Sequence, residues 1–122
     1  MISRKNRFHG YGSLKHVYRN GQAIRGPLFS VRYLENPKRK DYRVAVVVSR
    51  KVNKSAVARN RIRRRLYEII RTLGIDIVRP FDIVINVFHD TVQDEPPQRL
   101  EEQLKRQLKE AGVLVKRITR ES

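Results

Sequence analysis

The sequence predicts a single α+β domain, a small sheet sandwiched with helices, and three observations predict it. Apolar, β-branched segments of strand length recur at residues 28–34, 43–49 and 81–88. A long basic stretch with an apolar stripe at helical spacing follows the second of them, and an amphipathic leucine pattern follows the third. At 122 residues with 39 % hydrophobic content, the chain can bury one modest core rather than two.

Residues 1–12 are basic, glycine-containing and aperiodic, and are expected to form a flexible arm. Ser13 can cap a short helix carrying Leu14, Val17 and Tyr18 on one face, with Gly21 just past its end. Residues 28–34 then alternate: Phe29, Val31 and Tyr33 point one way, Ser30 and Arg32 the other. After a turn through Asn36, Pro37 and Lys38, RVAVVVS (43–49) reads as a strand with Val44, Val46 and Val48 on one face and Ala45, Val47 and Ser49 on the other.

The stretch 49–74, SRKVNKSAVARNRIRRRLYEIIRTLG, carries the long basic helix. At about 100° per residue, Ala58, Ile62, Leu66, Ile69, Ile70 and Leu73 form one stripe suited to packing on a sheet, and Gly74 is a natural stop. Asn60, Arg64, Tyr67 and Arg71 fall near the opposite pole; Arg59 and Arg63 flank one edge of the stripe, Arg61 and Arg65 the other. FDIVINVF (81–88) reads as a third strand and residues 89–95 as an acidic loop. Pro96-Pro97 opens a last helix that buries Leu100, Leu104, Leu108 and Ala111. The folded domain is expected to span 13–115, with a frayed tail over 116–122.

Charge restricts the function. Lys and Arg number 28 against 12 Asp and Glu, a net charge of +16, which repels itself unless a polyanion neutralises it. Nucleic acid is the expected partner. Residues 42–67 contain nine cations and no acid, whereas 76–102 contain Asp76, Asp82, Asp90, Asp94, Glu95, Glu101 and Glu102 against Arg79 and Arg99. A basic side and a neutral-to-acidic side orient a protein on RNA.

The absence of cysteine excludes disulfides and thiolate metal sites and fits a cytoplasmic setting. No apolar run is long enough to span a bilayer, no signal peptide is visible at the start, and no membrane partner is expected. His9, His16 and His89 lie in different elements without partners at catalytic or metal-binding spacing, so no catalytic residue and no protein metal site is expected. Asp90, Asp94 and Glu95 could in principle hold a cation, but a solvated acidic loop, which would sit badly beside RNA phosphates, explains them better.

Five arginines among residues 59–65 put like charges at i,i+4, in the pairs Arg59/Arg63 and Arg61/Arg65, which costs helix stability unless an anion offsets it. The arginine fork suits phosphate, and Asn60 adds a donor and an acceptor suited to base edges or 2′-hydroxyls.

This segment resembles the signature of the bacterial ribonuclease P protein, in which an Arg-Asn-Arg triplet, here Arg59-Asn60-Arg61, follows a Lys-rich loop after a Val-rich strand. The resemblance extends over roughly residues 4–112. It implies an α+β sandwich with an unusual left-handed βαβ crossover. The implied function is that of the protein subunit of the endoribonuclease that removes the 5′ leader from precursor tRNA. Catalysis then belongs to an RNA subunit, with magnesium ions held mainly by that RNA. The resemblance assigns Arg50, Lys51, Lys54, Arg59, Asn60, Arg61, Arg63 and Arg64 to the surface facing the catalytic RNA, and a cleft between the first helix and the sheet to the single-stranded leader of precursor tRNA.

Single strands bind where rings stack on bases and cations track the backbone. Tyr18 is the stacking candidate, a satisfied core tyrosine being the competing reading. Ser30 and Arg32 could contact hydroxyl and phosphate, with Ala45, Val47 and Ser49 as a shallow floor. The sequence departs from the family pattern at Leu14 and Arg32, where aromatics are usual. It departs again at Asn53, where glycine is common and where asparagine would tolerate a left-handed backbone. Two rivals stand beside this assignment: a ribosomal or other structural RNA-binding protein, and a DNA-binding helix module. The second is disfavoured, because the arginine helix has an apolar floor and no helix-turn-helix pairing precedes it; no DNA partner is expected.

Overall fold

Why the chain folds as it does is clearest from the sheet. A computed structural model describes residues 6–8, 11–77 and 79–114. The elements run α1 (Tyr11–Asn20), β1 (Gln22–Arg25), β2 (Phe29–Glu35), β3 (Arg43–Val47), α2 (Ala56–Leu73), β4 (Phe81–Val87) and α3 (Pro97–Glu110). The four strands lie in the order β1-β2-β4-β3. β2 is antiparallel to β1 and β4, whereas β3 and β4 are parallel neighbours joined through α2.

The pairing register carries the two-residue alternation straight across the sheet. Phe29 sits opposite Val87, and Val31 and Val46 flank Ile85 from the two sides, which puts all of them on one face. That face packs with Ile62, Leu66, Ile70 and Leu73 of α2 and Leu100, Leu104 and Leu108 of α3 into one buried cluster. Burying a side chain of this size is worth about 1.5–3 kcal/mol, so these residues supply the main stabilisation. The other face presents the rows Arg25–Ser30–Asn86–Val47 and Ala23–Arg32–Val84–Ala45. α1 lies over it, with Val17 fully buried.

α2 starts at Ala56 because the Ser55 side chain caps it, accepting from the Ala58 N–H at 3.2 Å. The helix preceding β1 ends at Gly21 for a steric reason: a Cβ there would come within 2.7 Å of both the Val17 and Tyr33 carbonyl oxygens. α3 closes differently, through Gly112 at φ +80°, with the Val113 N–H reaching back to the Leu108 carbonyl at 2.9 Å.

Several sequence expectations need correction. α1 begins at Tyr11, so Ser13 lies inside the helix instead of capping it. Strand β1 was not expected at all; it pairs along β2 from Gln22 opposite Tyr33 to Arg25 opposite Ser30. Gly74 keeps a right-handed backbone (φ −58°) and leads into a 3-10 turn, Gly74–Asp76. No described residue other than glycine has positive φ. Asn53 therefore needs no left-handed backbone; its Oδ1 instead accepts the Ser55 N–H at 2.8 Å.

The acidic loop is a 3-10 turn, Asp90–Gln93, whose Val92 is fully buried. Tyr67 does not project from the outer pole of α2: its hydroxyl accepts the Val46 N–H at 3.2 Å, on the edge of β3. The expected flexible arm is docked over residues 6–8, where Asn6 is buried and Arg7 bridges in parallel to Val44. His9, the rest of the arm before Tyr11 and the tail 116–122 lie outside the described residues.

Candidate nucleic-acid interface

The basic surface begins in the loop before α2. Asn53 and Lys54 carbonyls both accept from Arg59 Nη1 at 2.9 Å, so Arg59 folds the loop back on the helix start. Arg50, Lys51, Lys54 and Arg59 thereby surround one basic concavity of about 630 Å³. A second tie holds the loop from the far side, Asn53 Nδ2 donating to Asp90 Oδ2 at 3.2 Å.

Along α2 the arginines diverge. Arg65 donates to the Val92 and Glu95 carbonyls at 2.6 and 2.5 Å, and so is consumed in holding the 3-10 turn against the helix. Arg61 and Arg64 are exposed on that same flank. Arg61 reaches Gln93 Oε1 at 3.3 Å. Arg63 turns to the opposite flank, donates to Asn60 Oδ1, and lines a groove along β3 instead of the outer face. The ion pairs among the described residues are Arg43–Asp82, Arg71–Glu68 and Arg79–Glu35, and none involves the five arginines of residues 59–65. No carboxylate among the described residues pairs with them, so their like-charge repulsion along the helix is not offset there.

The groove itself has two lobes that meet at Tyr18 and Val47. One is lined by Tyr18, Arg25, Ser30, Arg32, Val47, Ser49, Asn86 and Phe88 on the sheet face that α1 overlies. All five residues singled out for a single-strand cleft, Tyr18, Ser30, Arg32, Val47 and Ser49, come together there. The second lobe, about 600 Å³, follows the edge of β3 between α1 and α2, where Leu14, Lys15, Arg63 and Tyr67 face Ala45 to Val48.

Tyr18 is 39 % exposed and is not a core tyrosine. Its hydroxyl donates to Asn86 Oδ1 at 2.6 Å, and the Arg32 guanidinium lies 5.4 Å from its ring centroid. Arg32 also donates to the Tyr18 carbonyl at 3.4 Å, fixing ring and cation together. Sequence reasoning missed Asn86, Arg25 and Phe88. Only the strand register brings Asn86 between Ser30 and Val47, and Arg25 stacks on Phe88 at 4.5 Å from a strand that periodicity did not reveal. Among the described residues no group of three or more His, Asp or Glu converges as a metal site.

The model of the ribonuclease P protein family, described as Ribonuclease P, matches residues 2–112. The chain belongs to the ribonuclease P protein family. It is 36 % identical to the ribonuclease P protein component of a Pseudanabaena species over 93 % of this chain and 97 % of that protein. Its fold is similar to that of the Staphylococcus aureus RNase P protein, with a TM-score of 0.79 at 24 % identity over 90 % of this chain and 98 % of the other. The RNase P protein from Thermotoga maritima is similar with a TM-score of 0.71 at 25 % identity, over 80 % and 89 % of the two chains. As a ribonuclease P protein component, the chain is a subunit of an endonuclease that acts in tRNA 5′ leader processing, with catalytic RNA as the other subunit. The four-stranded sheet with three helices is the ribonuclease P protein fold. Nothing in the comparisons supports the rival ribosomal or other structural RNA-binding role.

Proposed function

We propose that the protein grips the catalytic RNA through the loop and outer face of α2 while holding the single-stranded 5′ leader of precursor tRNA in the groove beneath α1. The observation that carries the leader assignment is the convergence of Tyr18, Ser30, Arg32, Val47 and Ser49 on one groove. The exposed Tyr18 ring offers a base a stacking surface, Arg32 offers a phosphate its guanidinium, and Ser30 and Asn86 offer hydrogen bonds. Val47 and Ala45 make the floor shallow and apolar enough for a base to lie flat.

For the catalytic RNA, the supporting features are the concavity of Arg50, Lys51, Lys54 and Arg59 and the exposed Asn60, Arg61 and Arg64. Arg63 belongs by its position with the leader groove. Magnesium ions, which supply the charge stabilisation and activated water of phosphodiester hydrolysis, would be held mainly by the RNA. The protein's own part is to neutralise phosphates and orient the leader. The setting is proposed to be cytoplasmic; no described helix is long and apolar enough to cross a membrane.

The test is the affinity of the reconstituted holoenzyme for leader-bearing and leaderless precursor tRNA across a salt series. The leader should add affinity, and the added part should weaken with salt by about 0.7 log units per log unit for each leader phosphate neutralised. Equal affinity for both substrates at every salt concentration would remove the leader from the groove.

A further inference from the structure

The lobe of the groove along β3 has a third wall, made by residues of the stretch 6–8. Asn6 anchors it: the residue is buried, and its Nδ2 donates to the Tyr42 carbonyl at 2.7 Å. Arg7 bridges in parallel to Val44 on the free edge of β3, and its guanidinium lies 5.5 Å from the Tyr67 ring centroid. Phe8 packs its ring against the Arg43 guanidinium at 4.6 Å. Arg43 is itself immobilised, donating from Nε and Nη2 to the two oxygens of buried Asp82 at 2.9 and 2.8 Å. Arg7 and Phe8 are only half-buried, and both line the groove together with Lys15 and Tyr18.

We propose that Arg7 and Phe8 form a second contact surface for the leader, Phe8 as a base platform and Arg7 as a phosphate contact, with Arg43 as the positioning residue that Asp82 holds in place. This rests on the assignment of the groove to the leader. An aromatic face beside a cation is the pair of groups that sequence-tolerant single-strand binding needs. Here it lies in the same groove as Tyr18, so one extended strand can touch both rings.

The experiment uses the holoenzyme reconstituted with a bacterial ribonuclease P RNA and reads the ratio of affinities for leader-bearing over leaderless precursor tRNA. Phe8→Ala should lower that ratio about five- to tenfold, the loss expected for one base–aromatic stack, and Phe8→Tyr should retain it. An unchanged ratio in Phe8→Ala with a lowered ratio in Tyr18→Ala would overturn this inference and leave the groove assignment standing. An unchanged ratio in both would overturn the two together. Because Phe8→Ala could also loosen the fold, the unaltered holoenzyme provides an independent readout through 4-thiouridine placed in the leader. Photocrosslinks should reach residues 6–8; crosslinks confined to α1 and β2 would overturn the assignment.

Discussion

The Tyr18 hydroxyl donates to Asn86 Oδ1 at 2.6 Å, which pins a ring from α1 to the middle of the sheet at the point where the two lobes of the groove meet. The hydrogen bond holds the ring at a fixed angle, with Arg32 against it. Removal of the ring by Tyr18→Ala should therefore cut the leader-dependent part of substrate affinity about fivefold or more. With Tyr18 39 % exposed, the stability cost should stay near 1 kcal/mol. Binding of leader-bearing and leaderless substrates, with a denaturation curve beside it, checks both halves; an unchanged leader dependence would return Tyr18 to a structural role.

Arg61 and Arg65 separate RNA contact from folding. Both flank the same edge of α2, but Arg61 is exposed and, among the described residues, reaches the Gln93 side chain, whereas Arg65 binds two backbone carbonyls. Arg61→Ala should weaken assembly with the catalytic RNA and lower the salt slope by about one phosphate, with little loss of stability. Arg65→Ala should cost about 1–3 kcal/mol of folding stability, since it strands the carbonyls it satisfied. Urea denaturation and RNA affinity, measured on both variants, distinguish the two effects.

The strand faces were legible in the sequence. Alternation put Ser30 and Arg32 opposite Phe29 and Val31, and it put Val47 opposite Val46, as the register requires; Ser49, past the end of β3, lines the same groove as Val47. The helical stripe named Ile62, Leu66 and Ile70, which are fully buried. Other features were not legible, each for a physical reason. β1 has four residues, mostly exposed, so burial imprints no alternation on it and only its pairing with β2 defines it. Tyr67 was misplaced because an angular projection ignores side-chain length; its phenol extends back to the β3 edge. The docking of Asn6 and Phe8 depends on Tyr42 and Arg43, more than thirty residues away, and no local pattern encodes such a contact. Nor could helix periodicity tell that Arg65 serves the fold while Arg61 does not.

Asp82 and Arg43 form a buried bidentate pair with side chains 2 % and 9 % exposed, and Asn36 Nδ2 adds a donor to Asp82 at 3.2 Å. Asp82→Ala leaves the guanidinium buried without its carboxylate and should cost about 3–5 kcal/mol. The midpoint of denaturant unfolding measures this, and a loss well under 1 kcal/mol would mean that water or another acceptor replaces the carboxylate.

The Tyr42 phenol is pushed above its ordinary value by burial and then by the nearby Asp41 charge. The folded state thus favours the neutral phenol. Its contribution to stability is fully present below the unfolded value of about 10 and is lost as pH rises through the higher folded value. Unfolding free energy should fall on the alkaline side of that window, and the fall should be smaller in Tyr42→Phe.

Cleavage of precursor tRNA by a bacterial ribonuclease P RNA at low magnesium, with and without this protein and alongside the protein alone, tests the central claim most directly. Division of labour between a catalytic RNA and an RNA-gripping protein predicts stimulated cleavage at the mature 5′ end and no cleavage by the protein alone. Tight RNA binding without stimulation, or cleavage by the protein in the absence of the RNA, would contradict it.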